Sequence, residues 1–143
     1  MRRNDRKKMT VTMLSAMLAS VRDCWRRAQG YQRLCYIVGI LLMGIGLLHL
    51  AGFLALGGPW VGPLAWRKPF AFGLPFGITT LTLGWLATYL PMARRTSWLL
   101  FAMLATANTI EVLWVTTQRA RGVSSHFNVN TPLDASLFRL GGP

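Results

Sequence analysis

Three long stretches of nearly unbroken apolar residues divide this chain: LCYIVGILLMGIGLLHLAGFLAL at 34–56, FAFGLPFGITTLTLGWLATYL at 70–90 and SWLLFAMLATANTIEVLWVTT at 97–117. Runs of about 20 residues, rising 1.5 Å per residue as helices, match a hydrocarbon layer about 30 Å thick. Residues 1–33 follow another pattern. Met9, Met13, Met17, Val21 and Trp25 recur every four residues with Leu14 and Leu18 beside them, while Arg22 and Arg26 follow a neighbouring row. That spacing predicts an amphipathic helix suited to the headgroup layer. The expected fold is all-α: a membrane bundle of three transmembrane helices (34–117) preceded by an interfacial basic arm (1–33) and followed by a polar tail (118–143).

Inside the spans the small residues are phased. Gly73, Gly77, Thr80, Gly84 and Ala87 recur in steps of four and three and share one helix face, as do Gly39 with Gly46 and Gly44 with Ala51. Small residues let membrane helices approach backbone to backbone. Pro75 lies in the second run and is expected to kink or loosen the turn before it. The connection GGPWVGPLAWRKP, 57–69, holds three prolines and three glycines and reads as an irregular loop, with Trp60 and Trp66 suited to the interface.

Charge adds direction. Only 14% of residues are charged, against about 25% in a soluble domain, which disfavours a water-exposed fold. The formal net charge is nonetheless +12. Eleven Lys and Arg fall in the arm and the 91–96 link, against five in the first loop and tail. The positive-inside rule therefore predicts a multi-pass protein of the inner (plasma) membrane with a cytoplasmic amino terminus and an extracytoplasmic carboxyl terminus. The arm's expected partner is the lipid bilayer with its anionic headgroups; nucleic acid is disfavoured, because the arm lacks the aromatic spacing of a base-stacking platform. A signal peptide is the rival reading of the arm, but Thr10, Thr12 and Ser15 interrupt the apolar run and no A-x-A follows. Cys24 and Cys35 have no metal or redox spacing and read as free thiols.

The candidate chemistry lies on the third span and beyond. A charged group at membrane depth costs about 2.5 to 3.5 kcal/mol on insertion scales, so Glu111 calls for a partner or a role. Asn108, Glu111, Val115 and Gln118 follow steps of three, four and three and are expected to face the bundle interior. Counted from the cytoplasmic ends of their spans, His49 and Glu111 come out at similar depth. Arg67, Lys68, Gln118, Arg121, His126, Asn128 and Asp134 gather at or above the same rim. The expected ligand-binding set is therefore Glu111, His49, Arg67, Lys68, Asn108, Gln118, Arg121, His126, Asn128 and Asp134. A packing role, with Glu111 paired to Arg67, Lys68 or His49, competes with a ligand, proton or metal site. For a metal, His49, Glu111 and His126 are the candidate ligands, without any H-x-x-x-H or H-E-x-x-H spacing; a haem between His49 and His126 would need the tail to fold back. No cofactor or specific activity is legible. In the tail, Gly122 reads as a helix stop and Thr131, Pro132 and Asp134 as a further helix start.

WRKPFAFGLPFG at 66–77, and EVLWVTTQRARGVSSHFN at 111–128 followed by TPLD at 131–134, resemble a family of uncharacterised bacterial multi-pass membrane proteins. HLAGF around His49 and the GGPWVGPLAW loop fit the same pattern, and the basic arm lies outside it. The resemblance covers about residues 40 to 136 and implies candidate positions rather than a mechanism. Family members of that kind continue into further spans, whereas this chain diverges after about Ser136; a truncated or frameshifted copy is the expectation. The functional expectation is a membrane protein with an outward-facing polar pocket for a small ligand, ion or partner, alone or as a homo-oligomer or complex. The alternatives are a metal-assisted intramembrane enzyme and a structural subunit or fragment of a larger multi-pass protein.

Overall fold

The computed structural model describes residues 3–62 and 65–122, with side chains from residue 8 onward. Among the described residues four α-helices follow in order: α1 (Arg3–Arg27), α2 (Gly30–Leu56), α3 (Arg67–Leu86), extended by a 3-10 turn at Ala87–Tyr89, and α4 (Arg94–Ala120). No strand occurs among the described residues. The three apolar runs are therefore helices, and α2, α3 with its 3-10 turn, and α4 are each long and apolar enough to cross a membrane.

The helices begin earlier than the apolar runs. α2 starts at Gly30 rather than Leu34, because Gln32 folds back onto its own first turn: its Oε1 accepts from the Gln29 backbone N–H at 2.8 Å. A glutamine three residues inside a helix can satisfy an otherwise orphan donor in this way. α2 stops at Gly57, whose φ of 67° is the left-handed conformation open to glycine and whose N–H returns to Phe53 O at 2.9 Å. α4 stops in the same manner at Gly122, with φ 68°. Pro75 sits on the exposed side of α3, which runs as one helix from Arg67 to Leu86.

α2 and α3 form an antiparallel hairpin joined backbone to backbone. A Cβ added to Gly73 would lie 2.8 Å from both Cα and N of Gly46, and one on Gly77 would lie 2.6 Å from Gly39 O. Gly84 closes on Cys35 in the same way. All five small residues of the α3 stripe, Gly73, Gly77, Thr80, Gly84 and Ala87, are buried. The Gly44 and Ala51 face points away from this contact, with open space around Gly44. Gln32 fastens the end of the hairpin: its Nε2 donates to Gly84 O at 3.1 Å and to Thr88 Oγ1 at 2.9 Å.

α4 lies across both partners through side chains. Tyr31 stacks on Phe101 at 5.4 Å and meets Trp98 edge-on at 6.2 Å. Tyr31 and Phe101 with Cys35 and Ala87 make the apolar core, which sits at the pole carrying α1, here the basal pole. Asn108 Nδ2 donates to Thr80 Oγ1 at 2.8 Å, and that hydroxyl donates to Phe76 O at 2.7 Å. The buried side of α4 is Ser97, Phe101, Ala105, Val112, Val115 and Gln118. Val112 therefore occupies the interior position expected for Glu111, which lies one residue around the helix and is half-buried.

Candidate functional site: the Trp66 and Arg119 pole

At the other end of the bundle, the distal pole, Trp66 is the common neighbour of all three spans. It is the residue just before α3, reached through the glycine-rich loop. Backbone closes on its indole: a Cβ at Gly52 would lie 3.0 Å from its Cζ3, and one at Gly58 would lie 3.1 Å from its Nε1. From α2 the His49 ring stands 6.1 Å away at an interplanar angle of 57°. From α4 the Arg119 guanidinium lies over the indole, 4.3 Å from the ring centroid. A cation over indole is stabilised by roughly 0.5 to 2 kcal/mol, the more so where water is excluded. Phe53, Trp60 and Phe70 continue the aromatic surface, with centroids 4.7 Å apart for Phe53 and Trp60 and 6.1 Å for Trp60 and Phe70.

The shared neighbour fixes the register of the helices. Tyr31 against Phe101 at the basal pole, and Gly52 and Arg119 both against Trp66 at the distal pole, place α2 and α4 side by side. α2 and α4 both begin before their apolar runs, at Gly30 and Arg94, and meet at this pole through Trp66.

His49 Nδ1 lies 2.8 Å from Ile45 O. A carbonyl only accepts, so Nδ1 carries the hydrogen and a neutral ring keeps Nε2 as its acceptor. Among the described residues no ion pair reaches Glu111, and its pairing with His49, Arg67 or Lys68 is not formed. Asn108 serves as interhelical glue to Thr80. Gln118 is buried and accepts from Arg121 Nη1 at 2.9 Å. Arg67 is exposed and Lys68 half-buried in the first turn of α3. His126, Asn128, Asp134 and the expected helix start at Thr131 lie outside the described residues. Among those described, no group of three His, Cys, Asp or Glu side chains comes together.

Two residues missed in the sequence complete the pole. Arg119 lies in the last turn of α4, where a basic residue ordinarily faces water, yet its Nε is buried without a hydrogen-bond partner. Thr116 Oγ1, one turn earlier on the same helix, is in the same condition. The available signal was spacing: Arg119 falls four residues after Val115 and seven after Val112, on the packing side of α4. Buried polar atoms without partners are uncommon and mark places where a water or ligand completes the bonding.

The fold is that of an α-helical membrane protein, with three helices among the described residues long and apolar enough to span the bilayer. Comparison with protein-family models, curated proteins and solved structures returns no match.

Proposed function

We propose that this chain is a bacterial inner-membrane protein, amino terminus cytoplasmic, whose distal pole faces outward and holds a small anionic group, phosphate or carboxylate, at the membrane boundary. One observation carries the reading. Arg119 is held over Trp66 with its Nε buried and unpartnered, so the cation is positioned in advance and has hydrogen-bonding capacity left to give. Arg67 and Lys68 strengthen the field. Both lie in the first turn of α3, where the helix dipole is already positive and no acidic residue is present. Glu111 lies about 12 Å deeper than Arg119 along α4, so the bound group stays clear of its charge.

The test is a calorimetric titration of the full chain in phosphatidylcholine nanodiscs with inorganic phosphate, repeated in discs containing phosphatidylglycerol. Saturable binding is expected, weakened roughly 10- to 100-fold by Arg119→Gln, the usual range for losing a hydrogen bond to a charged group. If phosphatidylglycerol abolishes the phosphate signal through Arg119, the natural ligand is a lipid headgroup; if it does not, a free anion is. Absence of phosphate binding in both discs, or binding indifferent to Arg119→Gln, overturns the proposal.

A further inference from the structure

The basal pole carries a second surface, independent of the Trp66 site. α1 has nine charged residues among its 25, which excludes it from the hydrocarbon as a fourth span. It still presents an apolar side. Turned at about 100° per residue, Val11, Met13, Leu14, Met17, Leu18, Val21 and Trp25 share one arc, interrupted by Thr10 and Cys24. Lys8, Thr12, Ser15, Arg22, Asp23 and Arg26 occupy the other. Those seven apolar side chains are 42% to 68% exposed, a larger continuous patch than a surface helix leaves open without a partner.

The elbow after α1 holds this side at the foot of the bundle. Arg33, in the first turn of α2, donates from Nε to Trp25 O and from Nη2 to Arg26 O, both at 3.3 Å, with its guanidinium 5.7 Å from the Trp25 ring centroid. Cys24 Sγ meets Tyr36 Oη at 3.7 Å. The last carbonyls of α1 are thus capped by the residue that begins the membrane span, at the level where span gives way to headgroups. Around it basic charge prevails: residues 1–33 hold nine basic and two acidic residues, and the exposed Arg94 and Arg95 open α4 at the same pole.

We propose that α1 is a lipid-docking arm whose apolar side seats in the acyl boundary of a leaflet rich in anionic phospholipid, with Arg22, Arg26 and Lys8 among the headgroups. Amphipathic helices with basic polar sides bind by buried apolar area together with attraction to anionic lipid. Arg33 makes the docking intramolecular by fixing the angle at which the arm leaves the span.

The full chain in nanodiscs tests this. Cys24→Ala leaves the buried Cys35 in place, and a single added cysteine carries an environment-sensitive fluorophore, at Met17 on the apolar side or at Ser15 on the polar side. With phosphatidylglycerol in the disc, the label at 17 is expected to be quenched by lipid-borne nitroxide and shielded from aqueous iodide, and the label at 15 to behave oppositely. Replacing Arg22 and Arg26 together by Gln is expected to lower the ratio of docked to free arm about thirtyfold, from the usual attraction of each basic side chain to an anionic surface. Equal iodide access at 15 and 17 in phosphatidylglycerol discs overturns the proposal. So does a label at 17 shielded from both quenchers whatever the lipid, which would mean that a protein, a second copy of this chain included, covers the arm.

Discussion

Gly73→Ala tests whether the backbone contact of α2 and α3 sets the stability of the bundle. The new methyl would meet Gly46 Cα and N at 2.8 Å and Leu42 O at 2.9 Å, all of them main chain. Non-bonded carbons rest at about 3.5 to 4.0 Å, so no rotamer change relieves the clash and the helices must part by nearly an ångström. A gap of that size forfeits a quarter to a half of each lost contact's attraction along the seam. Overpacking of this kind costs about 1 to 3 kcal/mol. Gly44→Ala is the matched control: nothing lies within 4 Å of its Cβ position, and it gains the roughly 1 kcal/mol by which alanine exceeds glycine in helix propensity. Equilibrium unfolding in mixed micelles with increasing dodecyl sulfate, followed by near-ultraviolet circular dichroism, is expected to show Gly73→Ala less stable than wild type and Gly44→Ala unchanged or more stable. Equal stability of the two variants would refute the close-contact argument.

Two further outcomes are expected. Asn108→Ala should cost about 0.6 to 1.7 kcal/mol, the range of interhelical hydrogen bonds in membranes, and most of that cost should vanish in a Thr80→Val background, since the bond at 2.8 Å joins these two side chains. Maleimide should modify Cys24, which is exposed, within the folded protein and reach Cys35, which is buried, only after denaturation; equal rates at both positions would contradict the packing of Cys35 against Gly84.

The parts of the structure that were legible in the sequence are those governed by periodicity. Three apolar lengths gave three spans, and the phase of Gly73, Gly77, Thr80, Gly84 and Ala87 marked the buried side of α3 because only small residues permit so close an approach. Register between helices was not legible. It depends on which side chains interlock, and no count from an apolar boundary contains that information. Gln32 and Arg119 were missed for a related reason. Each is polar and lies near a span end, where solvation is the ordinary outcome, and only the fold shows that Gly84 O and the face of Trp66 stand opposite them.

The two kinds of helix contact in this bundle differ mechanically. Gly39, Gly46, Gly73 and Gly77 have no rotamers, so at these positions the seam of α2 and α3 loses no side-chain entropy on closing. The contacts of α4, by contrast, include those of the side chains Tyr31, Phe101, Asn108 and Arg119. The seam of α2 and α3 is therefore set at its glycines by the shape of the main chain, whereas the seat of α4 is set by the fit of individual side chains.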